Sequence, residues 1–260
     1  MISTWSRGPA DENMPESLLV ATLECVRRHP WWLARAKLVD AALKRNKIFP
    51  PATIAEVGCG WGTNMDVLEQ AGYKITGFDI SRRILEMIDR PERNLVEMDL
   101  NCELPGSHPC FDALLALDVI EHLDDDRGAV SRMARLLRPG ALAIVSVPAL
   151  PELFSEYDDI QGHRRRYLPE TLRAAFDSTG LTVREIFWWG AWMVPILRRT
   201  RERSLKAGQQ SKKTYVEYLK LPPWPVPMMM KLAYQFEQKR ALGGRLKTGT
   251  SLFAVAVRDH

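Results

Sequence analysis

The stretch Thr53-Ile54-Ala55-Glu56-Val57-Gly58-Cys59-Gly60-Trp61-Gly62 decides the fold of this chain. A short apolar run ends in three glycines at every second position, and a segment with helical periodicity follows over 64–71. Glycine allows a sharp turn and a close approach of the backbone to a ligand, while the next helix presents unpaired N–H groups there. The stretch therefore predicts a strand, a ligand-binding turn and a helix.

The same alternation of short apolar runs and helical segments continues along the chain. It predicts further strands at 74–78, 94–97, 111–117 and 142–147. A helix is predicted at 127–137, and we expect Arg138-Pro139-Gly140 to end it, because proline cannot continue a helix and glycine accepts a left-handed turn. Repeated strand–helix units of this kind indicate an α/β fold with a Rossmann-like, doubly wound and mostly parallel sheet.

The flanking segments predict additional elements and a division into parts. Helices are predicted within 16–46, with a break at His29-Pro30, and at 169–178 and 228–241, and strands at 181–187 and 251–257. The expected parts are an N-terminal helical cover over 1–50, a core over 51–190, a helical and proline-rich cap over 191–248, and an antiparallel last core strand within 249–260.

Composition narrows the class of protein. With 260 residues, of which 46% are hydrophobic, the chain buries one α/β core and carries an appended cap. Its four cysteines form no Cys-x-x-Cys pair and no histidine stands at zinc-ligand spacing, so neither disulfides nor a metal site is indicated. The sequence shows no signal peptide and no membrane-spanning apolar run, and we expect a cytoplasmic protein.

The chain is weakly basic overall, and its positive charge is concentrated in one region. The net charge of +4 permits a nucleic-acid partner without indicating one. Between 198 and 213, seven basic residues stand against one acid. That run is either a solvated connector or a surface that attracts anions. The run follows Trp188, Trp189 and Trp192, and two interpretations of this segment stay open. The tryptophan rings pack within the protein, or the segment makes peripheral contact with a membrane.

Acidic residues follow the other predicted strands where these strands end. Asp79 closes the second strand about 20 residues after the glycine turn, the position at which a carboxylate holds a ribose diol. Asp99 follows the third strand and Asp118 the fourth. Since the carboxyl ends of parallel strands meet in one crevice, these residues predict an adenosine-containing ligand. Another nucleotide is the alternative, although Thr63 replaces the third glycine of a dinucleotide-binding turn.

These ordered segments, with Asp-Val-Ile-Glu-His-Leu at 118–123 and Leu-Leu-Arg-Pro-Gly at 136–140, resemble class I S-adenosylmethionine-dependent methyltransferases over 53–147. The branch they resemble acts on small molecules and includes ubiquinone-biosynthesis enzymes. The resemblance implies S-adenosyl-L-methionine as cofactor, S-adenosyl-L-homocysteine as product, and a small-molecule acceptor methylated on oxygen or nitrogen by in-line displacement. An acidic compound, a natural product and a lipid-like molecule are the candidate acceptors. The core residues implied to bind the cofactor are Glu56, Gly58, Cys59, Gly60, Asp79, Ile80, Asp99, Leu100, Leu117 and Asp118.

Two elements outside this core are similar to further parts of the same enzymes. His29-Pro30-Trp31-Trp32-Leu33-Ala34-Arg35 is similar to an element that covers the cofactor, which implies covering by Trp31 and a contact of Arg35 with the cofactor's carboxylate. Gly162-His163-Arg164-Arg165-Arg166-Tyr167 is similar to a substrate-side loop. The residues expected to bind an acceptor, which is acidic if the arginines pair with it, are Arg164, Arg166, Tyr167 and Trp192.

The need for a general base depends on the acceptor. A hydroxyl or carboxyl must be ionised, and His163 and His122 are the candidates, whereas an amine attacks with its lone pair. Simpler roles stay open, namely a packed imidazole for His122, a solvated basic turn for His163 and a helix cap for Asp118.

Two other classes of function stay open as well. A nucleic-acid methyltransferase is less favoured because the Asn/Asp-Pro-Pro-Tyr motif used on base amines is absent after the fourth strand. The other class is a non-catalytic, membrane-associated module that retains the fold.

Overall fold

The computed structural model describes residues 2–8, 14–106, 111–207, 219–220 and 223–259. Within them, eight strands form one sheet: β1 (Ile2–Thr4), β2 (Thr53–Val57), β3 (Lys74–Asp79), β4 (Asn94–Glu97), β5 (Phe111–Leu117), β6 (Leu137–Pro148), β7 (Leu181–Trp189) and β8 (Ser251–Arg258). Their order is β1-β4-β3-β2-β5-β6-β8-β7. β8 runs antiparallel to both of its neighbours, β6 and β7, and the other strand pairs described are parallel, which confirms the predicted Rossmann-like sheet with its antiparallel last strand.

Helices cover both faces of the sheet. Their bounds are α1 (Glu16–Arg28), α2 (Pro30–Arg45), α3 (Thr63–Gln70), α4 (Arg82–Ile88), α5 (Asp126–Ala134), α6 (Glu156–Ile160), α7 (Pro169–Ala174), α8 (Val194–Ala207) and α9 (Val226–Leu242). Helices α2, α3, α4 and α9 pack on one face, and α5 and α7 on the other. No helix in the described ranges combines the length and apolar character needed to cross a bilayer.

The central strands are apolar on both sides, as buried parallel strands are. In β5, Ala113, Leu115 and Leu117 face the layer of α2 and α3, while Leu114 and Ala116 face the layer of α5. All five side chains are at most 5% exposed. This sheet is therefore a rigid support for the residues at its carboxyl edge.

The break between the first two helices lies where the sequence predicts it. α1 ends at Arg28, and Pro30 occupies the first position of α2, where its missing N–H costs no hydrogen bond. The Nδ1 atom of His29 accepts the N–H of Trp31 at 3.2 Å and so caps α2. Burial lowers the pKa of His29 to about 4, which keeps this nitrogen free to accept.

Two expectations need correction. The helical cover over 1–50 begins with a strand, because Ile2–Thr4 pairs in parallel with β4. The helix predicted to run to residue 137 ends at Ala134, and Leu137 already pairs with Phe111 of β5. The Arg-Pro-Gly segment lies in a bulge of β6, not at a helix end, because Leu137 leaves the helix to be buried in the core.

Three predicted features lie wholly or partly outside the described residues: Cys110, the basic run beyond 207 and the first proline of the cluster at 222–227.

Candidate active site

A cavity of about 980 Å³ opens at the carboxyl ends of β2, β3, β4 and β5. Its walls include Trp31 and Arg35 of α2, the glycine turn, and residues from the segments after β3, β4 and β5. This is the edge at which doubly wound sheets bind their ligands.

The glycine turn after β2 has a backbone that other residues do not tolerate. Gly58, Gly60 and Gly62 have φ angles of 69°, 44° and 69°, all in the left-handed region. A Cβ atom on Gly58 would lie 2.5 Å from Cγ2 of Val119. The N–H groups of Gly58 and Cys59 donate to the carbonyl oxygen of Phe78 at 2.8 and 3.0 Å, which ties the turn to the end of β3.

Asp79 closes β3 and links the turn to the next helix. Its Oδ2 atom accepts the N–H of Gly60 at 2.8 Å, and its Oδ1 atom accepts the N–H of Ser81 at 3.0 Å. Burial raises the pKa of Asp79, although these backbone hydrogen bonds favour the charged form. The carboxylate therefore lies at the cavity wall in a fixed orientation.

Asp99 and Leu100 follow β4 and line the cavity beyond Asp79. The N–H of Asp99 donates to Oγ of Ser6 at 2.8 Å, and its Oδ1 atom accepts the N–H of Asn101 at 2.8 Å. A Cβ atom on Gly8 would lie 1.9 Å from Oδ2 of Asp99, so the chain after β1 passes directly against this carboxylate.

Buried polar atoms lie beneath the turn. Glu56 Oε1 accepts from Nδ2 of Asn64 at 2.9 Å, whereas Glu56 Oε2 has no hydrogen-bond partner among the described residues. Burial raises the pKa of Glu56 to about 7, against the hydrogen bond from Asn64 and the charge of Arg35. The guanidinium of Arg35 forms an ion pair with Asp118 and lies 4.7 Å from the ring centroid of Trp31. Asp118, with φ of 59°, does not cap a helix and instead accepts from Oγ of Ser146 at 3.0 Å.

A second polar cluster lies on the cavity side away from the glycine turn. The Nδ1 atom of His163 lies 3.0 Å from Oδ1 of Asp158. Arg166 donates to the same carboxylate from Nε at 2.7 Å and Nη2 at 3.1 Å. Burial acts to raise the pKa of Asp158, but the hydrogen bond from His163 and the charge of Arg166 outweigh it and hold that pKa below its ordinary value. Asp158 is therefore an ionised carboxylate although its side chain is buried.

Glu121 and His122 complete this cluster. Glu121 is fully buried, and neither of its carboxylate oxygens has a hydrogen-bond partner among the described residues. Burial, together with the charge of Asp118, raises the pKa of Glu121 well above its ordinary value. Burial and the neighbouring His163 lower the pKa of His122 to about 3. Candidate ligand atoms of Glu121, His122 and His163 lie within 4.8 Å of one another, a spacing that sequence alone does not reveal.

The sequence profile of a family described as "Methyltransferase domain" matches residues 31–186, more than half of the chain. This chain belongs to that methyltransferase family. The protein is an enzyme that uses S-adenosyl-L-methionine. A phosphoethanolamine N-methyltransferase of Haemonchus contortus, solved with that cofactor, has a similar fold, with a TM-score of 0.50 and 18% identity. The match covers 85% of this chain and 53% of the other.

Individual relatives are similar at low identity. An O-methyltransferase of Pyrenophora dematioidea is 28% identical over 70% of this chain and 73% of its own. A ubiquinone biosynthesis O-methyltransferase of Alkalilimnicola ehrlichii is 33% identical over 36% of this chain and 40% of its own. The solved structure of the [4+2]-cyclase SpnF covers 99% of both chains, with a TM-score of 0.61 and 18% identity.

The cavity of the methyltransferase fits its cofactor. Gly58 leaves room that a side chain would fill, and the carboxylate of Asp79 lines the cavity about 20 residues after the glycine turn, the spacing at which adenosine-binding folds would hold a ribose diol. Two buried polar atoms, Oε2 of Glu56 and Nε of Arg35, have no hydrogen-bond partner in the described part of the chain. They lie beneath the end where a charged amino-acid moiety would be held.

The structure brings most of the predicted site residues to the methyltransferase cavity. Those that line it are Trp31, Arg35, Gly58, Cys59, Gly60, Asp79, Ile80, Asp99, Leu100, Leu117, Asp118, His122, His163 and Arg166.

Four predicted site residues lie elsewhere. Glu56 is buried beneath the turn. Arg164 is on the surface and pairs with Asp124 at 3.0 Å. Tyr167 is buried in the core, where its hydroxyl donates to Asp126 at 2.7 Å. Trp192 packs against Tyr234 with ring centroids 5.1 Å apart. In the loop at 162–167, His163 and Arg166 face the cavity while Arg164 and Tyr167 face away from it. Trp192 lies after β7 and packs against the apolar layer of α9 instead.

Sequence reasoning missed three residues of the second cluster. Asp158, Glu121 and Arg201 carry no assignment from the motifs, yet Asp158 organises His163 and Arg166, and Arg201 lines the cavity. One signal was available, since Ser155 and Asp158 form a Ser-x-x-Asp capping box at α6. Nothing in the sequence shows that this box faces His163.

Proposed function

We propose that this methyltransferase transfers a methyl group to an oxygen atom of a small molecule, with His163 as the general base. The observation that carries the proposal is the pair of His163 and Asp158, whose imidazole lines the cavity. An oxygen acceptor needs a base to ionise it, whereas an amine does not. Two relatives described as O-methyltransferases support the same choice.

In this proposal the Nε2 atom of His163 accepts the proton. Because Asp158 has a lowered pKa and accepts hydrogen bonds, the Nδ1 atom of His163 at 3.0 Å must carry the hydrogen. The Nε2 atom is then an acceptor. Asp158, held by Arg166, stabilises the imidazolium that forms, as the carboxylate does in a histidine–aspartate pair.

The transfer itself depends on positioning. When bound, S-adenosyl-L-methionine supplies a methyl group on a sulfonium, which a nucleophile displaces in line without needing a Lewis acid. Asp79 and Asp99 would hold the adenosine part, and the glycine turn with Arg35 would hold the amino-acid part. His163 would take the proton of the acceptor's hydroxyl on Nε2, so that the oxygen is ionised when it accepts the methyl group that the bound cofactor would supply. The described part of 191–248 would act as a cap, since Met193, Leu197 and Met230 line the same cavity.

A substitution of His163 tests the proposal. His163→Ala should lower kcat by about 100-fold or more, because the acceptor loses its base, while the affinity for S-adenosyl-L-homocysteine in calorimetry stays unchanged. Arg164→Ala is the matched control, since Arg164 lies in the same loop outside the cavity. The acceptor is found by incubating the enzyme with methyl-labelled cofactor and host metabolite extracts. Full turnover in His163→Ala, or a labelled product methylated on nitrogen, contradicts the proposal.

A further inference from the structure

The cap carries an apolar surface that the cavity does not use. Met228, Met229, Leu232 and Phe236 of α9 are 48%, 59%, 56% and 75% exposed, and Trp224, just before the helix, is 79% exposed. The four helical positions fall within an arc of roughly 100° when successive residues are rotated by about 100°. These five residues are named the α9 face.

The opposite side of α9 anchors the helix to the core. Tyr234 and Ala241 are buried in the apolar layer that α2 and α3 share. Glu237 is also buried, and its Oε1 atom accepts the N–H groups of Gly190 and Ala191 at 2.6 and 2.9 Å. The orientation of α9 is therefore fixed, with the α9 face outward.

Basic residues flank the α9 face. Lys231, Lys239 and Arg240 are exposed, and the helix's single acid, Glu237, points inward. Over 194–248 the sequence has thirteen lysines and arginines against three acids, although the whole chain has a net charge of +4. The rest of the chain is therefore net negative, and positive charge is concentrated in the part that carries the apolar surface.

We propose that the α9 face docks on an anionic lipid bilayer. An exposed arc of methionine, leucine and phenylalanine with a neighbouring tryptophan fits the interface of a bilayer, and lysine and arginine on its flanks fit anionic headgroups. A second copy of this chain suits the surface less well, because pairing two α9 faces would bring Lys231, Lys239 and Arg240 of each copy together.

The cavity lies on the other side of α9. Met230 is about 100° around the helix from Met229, packs against the same apolar layer as Tyr234 and Ala241, and lines the cavity, as Leu219 and Lys220 do. The docking proposal therefore concerns the outer side of α9 alone and does not rest on the proposed function.

Vesicle flotation of the full chain tests the docking. We expect the wild-type protein to float with vesicles of phosphatidylcholine containing about a third phosphatidylglycerol, to float poorly with phosphatidylcholine alone, and to be released by added salt. Leu232→Gln/Phe236→Gln should lower the partition coefficient about tenfold or more, because two buried apolar contacts with lipid are lost.

A matched double variant controls for general loss of apolar surface. Phe49 and Met87 are 57% and 40% exposed and lie outside the cap. Phe49→Gln/Met87→Gln should float like the wild type, and all three proteins should bind S-adenosyl-L-homocysteine equally in calorimetry. The proposal is overturned if the wild type ignores anionic vesicles, if both double variants lose flotation alike, or if sedimentation shows a dimer that Leu232→Gln/Phe236→Gln dissociates. Failure of methyl transfer with intact flotation would count against the proposed function alone.

Discussion

Asp79 illustrates how one residue supports both the fold and the ligand site. A carboxylate offers about four acceptor positions. The backbone N–H groups of Gly60, Ile80 and Ser81 interact with this carboxylate and orient the side chain. We expect the oxygen that faces the cavity to accept from a ribose diol as well.

Replacing Asp79 should therefore weaken cofactor binding. We expect Asp79→Ala to lower the affinity for S-adenosyl-L-homocysteine by about 10- to 100-fold, since a charge-assisted hydrogen bond to the ligand is lost. Calorimetry measures the affinity, and thermal unfolding verifies that the variant is folded. Asp124→Ala is the control, because Asp124 is an exposed carboxylate in a different loop. Wild-type affinity in a folded Asp79→Ala protein would refute the role of Asp79.

Glu56 makes stability depend on pH in a defined direction. Its pKa is raised from 4.5 to about 7 in the folded protein, chiefly by burial. Below pH 4.5 the carboxyl is protonated in both states and costs nothing. Between the two pKa values the unfolded chain ionises first, so the folded state loses stability as pH rises, and above about 7 the loss is constant.

Glu56→Gln removes this titration. Across the interval from pH 4.5 to pH 7, the free energy of unfolding of the wild type should fall by about 3 kcal/mol more than that of Glu56→Gln. Urea denaturation at the two ends of the interval measures the difference between the two proteins, so that titration of other groups cancels. Parallel pH profiles for wild type and variant would show that Glu56 ionises normally.

At the scale of the element, the turn between β2 and α3 depends on glycine geometry. Gly58→Ala should destabilise the protein by about 1–3 kcal/mol and abolish measurable cofactor binding, because its φ is 69° and the new Cβ atom would clash with Val119. Gly106→Ala is the control, since a Cβ atom there meets nothing within 4 Å. Thermal unfolding and calorimetry provide the two measurements. Tolerance of alanine at position 58 would mean that the turn adopts another conformation.

Elements that a short stretch of sequence determines could be predicted. Elements that depend on contacts with residues far away in the chain could not. The run at 53–57 and its glycines mark β2 and its turn without reference to the rest of the chain. β1 has only three residues and becomes a strand because β4 offers an edge. The end of α5 depends on where Leu137 finds burial.

The same distinction holds for the site. Asp79 and the glycines lie in one motif, whereas Arg35 meets Asp118 across 83 positions. Such a pair exists only after the sheet has formed, and the partner of His163, Asp158, likewise depends on the packing of α6 against the loop at 162–167.

For the molecule as a whole, α1 encloses the cofactor end of the cavity. The indole N–H of Trp61 in the glycine turn donates to the carbonyl oxygen of Leu19 at 2.9 Å, and Oγ of Ser81 donates to Oε2 of Glu16 at 2.7 Å. Leu19 also lines the cavity. Since α1 packs mainly on α2 and α4 and not on the sheet, we expect α1 to be the element that moves when a ligand enters.

Hydrogen exchange monitored by mass spectrometry should separate two ligand-dependent regions. S-adenosyl-L-homocysteine should slow amide exchange in peptides from α1 and the glycine turn, because the ligand fills the space between them, and should leave α9 unaffected. Anionic vesicles should do the reverse, with protection confined to peptides that contain the α9 face. Equal protection of α1 and α9 by either ligand would instead mean that one conformational change closes the whole cavity.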